Sequence, residues 1–77
     1  MAFNGKRAKQ RREELDLSHF DLVVKMQEIA AKSTADKPLK LRPEYISKYE
    51  HGKRQPGRRI FALFQQVLSL PVEELEV

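Results

Sequence analysis

The side chains in this sequence with the clearest chemical potential are basic ones, concentrated in the middle of the chain. Nine Lys or Arg residues lie from Lys32 to Arg59 against three acidic residues, whereas the segment from Ile60 to the end has three glutamates and no basic residue. Guanidinium and ammonium groups bind phosphate oxygens, so this asymmetry indicates a surface for a polyanion. A solvated surface without a ligand explains the same charges about equally well.

Other kinds of site have little support in the composition. The chain has 77 residues, no cysteine, and two histidines, His19 and His51, which lack metal-ligand spacing to acidic residues. There is no glycine-rich phosphate loop and no catalytic constellation, so we expect no metal, no cofactor and no enzymatic activity. No run is long and apolar enough for a membrane span and no signal-peptide pattern is present, so we expect a cytoplasmic protein without a membrane partner.

A short helix over about 43–51 lies at the centre of the basic stretch. Pro43 suits the first turn of a helix, where its missing N–H costs nothing, and Gly52 is a typical helix stop. Ile46 and Tyr49 are three residues apart and should share one buried face. The positions then turned outward are Arg42, Pro43, Glu44, Ser47 and Lys48, with Tyr45 between the two faces.

The rest of the chain contains signals for further helices and none for a β-hairpin. The helices are expected at about residues 5–15, 18–32, 43–51, 58–69 and 71–75. Residues 1–4 are expected to be a loose end and residues 33–42 a long basic linker. The sequence therefore predicts a single all-α domain over residues 1–77.

Three motifs occur in order along the chain. Residues 46–56 read ISKYEHGKRQP, residues 17–22 read LSHFDL, and residues 63–75 form an apolar closing segment. The first is similar to the I-S-x-x-E-x-G-x-x-x-P signature of the Cro/C1-type helix-turn-helix family (the phage-repressor-like or XRE domains), and the second resembles the L-S-Q-x-x-L of that family. The resemblance covers about residues 5–75 and implies a compact five-helix, lambda-repressor-like DNA-binding domain.

The resemblance also implies a function and a set of site residues. It implies sequence-specific binding of double-stranded DNA by a transcriptional regulator, expected to be a repressor, with the helix over 43–51 in the major groove. Base contacts are expected from Arg42, Glu44, Tyr45, Ser47 and Lys48, and phosphate contacts from His19, Lys40, Lys53, Arg54 and Arg58. A structural ion pair between Arg12 and Glu50 is implied, and a homodimer through residues 68–77 is expected, although Leu70 and Leu75 could equally cover the core.

The sequence departs from the family pattern at three places. His19 stands where Gln is usual, Arg42 takes a cap position usually held by Ser or Thr, and residues 33–42 are far longer than the usual tight turn. The long linker and an outward-facing Glu44 leave room for an alternative function on the same fold, a protein-interaction module such as an antitoxin or coactivator-like adaptor. A non-specific RNA binder is a weaker alternative, because the few aromatic residues look like core residues rather than stacking platforms.

Overall fold

Five helices build the part of the chain that the structure, a computed structural model, describes, residues 2–32 and 39–76. They are α1 Gly5–Glu14, α2 His19–Lys32, α3 Pro43–Glu50, α4 Arg58–Leu68 and α5 Val72–Leu75. Within these ranges the fold is all-α, as the sequence predicts, and the only extended pairing is one antiparallel bridge between Phe3 and Glu76. Residues 33–38 of the predicted linker lie outside the described residues.

The junction between α1 and α2 follows from local sequence. After α1, Asp16 adopts a left-handed conformation with φ 57°, which Asp tolerates better than most residues. Ser18 and Asp21 then form a reciprocal capping box: Asp21 N donates to Ser18 Oγ over 3.0 Å, and Ser18 N donates to Asp21 Oδ2 over 3.1 Å. These hydrogen bonds lower the pKa of Asp21 below its ordinary value. The start of α2 is thereby fixed directly behind the end of α1.

The core lies where α2, α3 and α4 meet, and α1 and α5 close it. The largest side chains with almost no exposed surface are Leu22, Met26, Ile46, Phe64, Leu68 and Leu75. Leu41, just before α3, is also buried, so the segment over 39–42 is anchored to the core while Lys40 and Arg42 stay exposed. The radius of gyration is 11.4 Å.

The prediction of a loose N-terminus is wrong for Phe3 and Asn4, whereas the expectation that Asn4 or a neighbour caps the first helix is confirmed. Phe3 is 6% exposed, and its ring centroid lies 4.8 Å from that of Phe64. Asn4 N donates to Leu75 O over 2.7 Å, and the Asn4 side chain caps α1. Burial of an aromatic side chain gives this segment a fixed place in the core that its position ahead of a charged helix does not reveal. Met1 lies outside the described residues.

The closing segment is less suited to a dimer surface than the sequence indicated. Leu70 is 7% exposed and Leu75 has no exposed surface, so both cover the core of their own chain. Of the described residues expected to offer apolar surface there, Val72 remains accessible at 37%. Val77 lies outside the described residues.

Candidate nucleic-acid interface

Helix α3 divides into a buried face and an outward face. Ile46 has no exposed surface, and the Tyr49 ring packs edge-on against Phe64 with 5.9 Å between centroids. Glu44 and Lys48 lie on the exposed side of the helix, four residues apart and therefore one turn from each other. The buried face fixes α3 on the core, so its outward row is presented on a rigid element.

The end of α3 is a Schellman motif that reverses the chain. Gly52 has φ 72°, its N–H donates to Tyr49 O over 3.2 Å, and Lys53 N donates to Lys48 O over 2.9 Å. A Cβ built on Gly52 meets nothing within 4 Å, so the left-handed backbone rather than crowding favours glycine here. After this reversal, the residues that follow Gly52 run back beside α3.

Arg54 is one of the residues that this reversal brings back onto α3. Its guanidinium carbon lies 4.6 Å from the centroid of the Tyr45 ring, within the range of a cation–π contact. Tyr45 is half-buried against the core and Arg54 is exposed. One face of the ring that the sequence assigned to a base contact is therefore covered by Arg54.

The Arg12–Glu50 pair implied by the resemblance is present in the structure. Arg12 Nε donates to Glu50 Oε2 over 2.7 Å, and Arg12 Nη1 donates to Leu17 O over the same distance. The side chain of Glu50 has no exposed surface, and that of Arg12 is 9% exposed. A carboxylate buried to this extent needs a cationic partner, so the pair ties α1 to the last turn of α3.

His19 is placed differently from the predicted phosphate contact. Its Nε2 lies 3.1 Å from Glu50 Oε1, on the other oxygen of the carboxylate that Arg12 holds. An ionised carboxylate only accepts, so Nε2 must carry the hydrogen of this bond. A neutral imidazole then has no second N–H for a phosphate, and only protonated His19 could donate to one. His19, at the start of α2, thus contacts the last turn of α3 through Glu50.

Gly5 is a structural residue that sequence reasoning missed. A Cβ built on it would overlap Tyr49 O and lie 2.5 Å from Glu50 O, because the first residue of α1 rests directly on the end of α3. The positive end of the α1 dipole thus faces the negative end of the α3 dipole. Nothing in the local sequence marks this glycine, since the contact joins residues far apart in the chain.

The cations among the remaining predicted contact residues precede α3, lie on it or follow it in the chain. Among residues 2–32 and 39–76, neither an ion pair nor a side-chain hydrogen bond engages the exposed cations Lys40, Lys48, Lys53 and Arg58. Arg42 is loosely paired with Glu44, with 3.8 Å between Nη1 and Oε1, and both side chains are largely solvated. These charges are available to a ligand at little cost.

The positions of two further residues, one at the end of α3 and one at the start of α2, were not predicted from the sequence. His51 Nδ1 donates to Ser47 O over 2.8 Å, so the His51 ring lies against Ser47. Ser47 is half-buried and is one of the predicted base contacts. The spacing of four residues at a helix end is the signal that would have predicted this contact. Phe20 is 63% exposed beside His19, at the start of α2, and its helical position alone does not distinguish it from a core residue.

Other kinds of site have little basis in the described part of the chain. It contains no cluster of three or more His, Asp or Glu side chains that could hold a metal ion. An open groove of about 430 Å³ lies between the end of α1, α2 and α4, lined by Leu15, Leu17, Lys25, Glu28, Ile29 and Val67.

None of the described helices has the length and apolarity required to cross a membrane.

Comparison with known proteins found no matching family model, no similar curated protein and no similar solved structure. Any assignment of function therefore depends on the motifs of the chain and on the geometry of its α3 surface.

Proposed function

We propose that this chain binds double-stranded DNA sequence-specifically as a transcriptional regulator, most simply a repressor, with α3 as its recognition helix. The carrying observation is that α3 is fixed on the core by one face while its other face and both flanks present exposed side chains of mainly positive charge. The major groove of B-DNA admits an α-helix and displays a distinct donor and acceptor pattern for each base pair. A rigid helix with an accessible polar row fits that requirement.

The outward row of α3 has the chemistry for base recognition. Lys48 can donate to the acceptors of guanine, and Glu44 can accept from the amino group of cytosine. Because Arg42 and Glu44 are exposed and only loosely paired, each can leave the other for a base at small cost.

The flanks have the chemistry for backbone contacts. Lys40 and Arg42 precede α3, while Lys53, Arg54 and Arg58 follow it, and all five side chains are exposed. Neutralised phosphates release condensed counterions, so a surface of this kind should bind DNA with an affinity that falls steeply with salt. Such contacts set the register of the helix, and the outward row then selects the sequence.

The direct test is selection from a randomised DNA duplex pool at two salt concentrations. We expect enrichment of a motif, together with a steep decrease in affinity at the higher salt concentration. Binding with a steep salt slope but without an enriched motif would reduce the proposal to non-specific DNA binding. Absence of duplex binding at low salt would refute it.

Substitution of Lys48 separates base reading from charge. We expect Lys48→Ala to lose about 1–3 kcal/mol on the selected sequence and to relax the preference at one position. Lys25→Ala is the matched control, because Lys25 is also an exposed helical lysine but lies on α2 beside the groove away from α3. An equal loss on all sequences for Lys48→Ala would make it a phosphate contact.

A second candidate function, a protein-interaction module on the same fold, is favoured by the groove beside Leu15. Its apolar lining includes Leu15, which is 38% exposed, and the groove lies apart from α3. An antitoxin or coactivator-like adaptor would use such a surface for its partner. Loss of partner binding on Leu15→Glu with unchanged DNA selection would favour this function, whereas the proposed regulator needs only the α3 surface.

Dimer formation and location belong to the proposal as expectations. Two copies bound to half-sites one helical turn apart would double the α3 contacts, and residues 68–77 are the predicted contact region. Sedimentation of the duplex complex at increasing protein concentration would show one or two copies per site. The cytoplasmic location expected from the sequence is part of the same proposal.

A further inference from the structure

We propose that Tyr45 is a positioning residue, whose ring holds the Arg54 guanidinium against the side of α3 for a DNA phosphate, and that it does not read a base. This inference rests on the proposed function, because the bound group is the backbone of the same DNA. It changes the role of a residue that the sequence places among the base contacts.

The contact joins a fixed ring to an otherwise mobile cation. Tyr45 is half-buried and packs against the hydrophobic core, which restrains its ring. The Arg54 guanidinium carbon lies 4.6 Å from the ring centroid, although Arg54 itself is exposed. A cation over an aromatic face is attracted by the negative face of the ring, so the ring offers Arg54 a preferred position.

The backbone that carries Arg54 is held on both sides. Before it, Gly52 and Lys53 donate to the last turn of α3 in the Schellman motif. After it, the side chain of Gln55 accepts a 2.9 Å hydrogen bond from Phe3 N, which belongs to the buried N-terminal segment. With the backbone and the ring both restrained, part of the side-chain ordering that binding would otherwise require is already complete in the free protein.

The geometry favours a phosphate as the ligand of Arg54. The N–H donors of the Arg54 guanidinium have no acceptor among the described residues, so they remain available for the oxygens of a phosphate. Tyr45 lies at the border between the buried and exposed faces of α3, to one side of the row that includes Glu44 and Lys48. When that row faces the base edges of the groove, the flank of the helix faces the backbone that forms the wall of the groove.

The experiment measures the salt dependence of duplex binding for Tyr45→Phe, Tyr45→Leu and Arg54→Ala, with the selected motif and a scrambled duplex as probes. Tyr45→Phe keeps the ring and should match the wild type in affinity, salt slope and sequence preference. Tyr45→Leu and Arg54→Ala should each weaken binding, and for each variant the affinity should fall by a similar factor on the selected motif and on the scrambled duplex. Each should also reduce the slope of log K against log salt by up to about 0.9, the value for one phosphate contact.

Double variants test the coupling between the two residues. Tyr45→Leu combined with Arg54→Ala should be no weaker than Arg54→Ala alone, because the ring acts through that guanidinium. Lys53→Ala is the matched control: Lys53 lies in the same turn but its side chain does not contact the Tyr45 ring, so its loss should add to that of Tyr45→Leu. Additive losses for Tyr45→Leu and Arg54→Ala would overturn the proposal.

A measurement without DNA separates this inference from the proposed function. By NMR, side-chain protons of Arg54 should show ring-current shifts in the wild type and in Tyr45→Phe, and should lose them in Tyr45→Leu. If the protein binds duplexes but these shifts are absent, or if Tyr45→Phe relaxes the preference at one base position, the positioning role alone fails. If no duplex binds at low salt, the proposed function fails and this inference fails with it, whatever the NMR shifts show.

Discussion

Replacing Arg12 by methionine removes the only arginine that contacts the buried Glu50 carboxylate in the described residues. The wild-type contact is short, 2.7 Å from Nε to Oε2, with a longer second approach of 3.4 Å from Nη2 to Oε1. Methionine keeps much of the apolar stem of arginine, so the substitution mainly removes the charge and the donors. Among the described side chains, the Glu50 carboxylate would then keep His19 Nε2 as its remaining partner, 3.1 Å away.

The size of the effect follows from burial. Removing one partner of a buried ion pair costs roughly 3–5 kcal/mol, because the other charge stays desolvated. The free energy of unfolding of a small domain is about 5–15 kcal/mol in total, and 1 kcal/mol shifts the melting temperature by about 4–8 °C at this size. We therefore expect Arg12→Met to lower the melting temperature by at least about 12 °C.

Arg7→Met is the matched control on the same helix. Arg7 Nε lies 3.0 Å from Glu74 Oε1, a distance similar to that of the buried pair, but the two side chains are 25% and 44% exposed. A solvated pair of this kind contributes less than about 1 kcal/mol, so Arg7→Met should shift the melting temperature only slightly. The two pairs differ in the burial of both partners, and Arg12→Met also removes the hydrogen bond from Arg12 Nη1 to Leu17 O.

Thermal and chemical denaturation monitored by circular dichroism measure the melting temperature and the free energy of unfolding of both variants. The double variant Arg12→Met, Glu50→Leu should recover most of the loss, because it removes the stranded charge together with its partner. A melting temperature for Arg12→Met close to that of Arg7→Met would refute the reasoning. A double variant no more stable than Arg12→Met would show that the loss comes from packing and not from the carboxylate.

Substitutions at three further positions probe features that hold α3 or α2 in place. Gly5→Ala should cost about 1–3 kcal/mol in denaturation, because its Cβ would lie 2.5 Å from Glu50 O; an unchanged midpoint would show that α1 can shift freely. Gly52→Ala should cost about 1–2 kcal/mol because of its φ of 72°, and Gly52→Asn should cost less, so the reverse order would argue against the left-handed turn. In the folded state the pKa of Asp21 lies below its ordinary value of 3.8. The ionised carboxylate should therefore stabilise the fold fully at pH values above 3.8, and this stabilisation should be lost as the pH falls through the lower pKa of the folded state. Wild type should thus be more stable than Asp21→Asn near neutral pH and approach it in acid, and a gap independent of pH would contradict the capping box.

The features that sequence reasoning predicted well are those set by near neighbours. Pro43 and Gly52 delimit α3 through backbone geometry that belongs to proline and glycine themselves. Ser18 and Asp21 are three residues apart, which is the spacing of a capping box, and the two hydrogen bonds form. The Arg12–Glu50 contact spans 38 residues, and its prediction depended on the family resemblance together with the need of a buried acid for a partner.

The features that it missed depend on where distant segments meet. Phe3 was recognised as an apolar anchor ahead of a charged helix, but its place against Phe64 and the contact of Gly5 with the end of α3 follow from the positions of α3 and α4, which no local pattern encodes. The contact between Tyr45 and Arg54 depends on the path of the chain after Gly52, and helical periodicity, which places Tyr45 between the two faces of α3, gives no indication of it. The contact between His19 and Glu50 was not predicted for the same reason, since it joins the start of α2 to the end of α3.

The same contacts make the proposed DNA surface depend on residues that lie behind it. Gly5, Arg12 and His19 all reach the last turn of α3, so α1 and the start of α2 hold the helix from its C-terminal end. If Arg12 acts only on stability, the fractional loss of DNA affinity in Arg12→Met should equal the fraction of the variant that is unfolded. This loss should vanish at temperatures well below the melting midpoint of the variant. An affinity loss that persists there, on the selected motif more than on a scrambled duplex, would mean that the buried pair also sets the orientation of α3 in the groove.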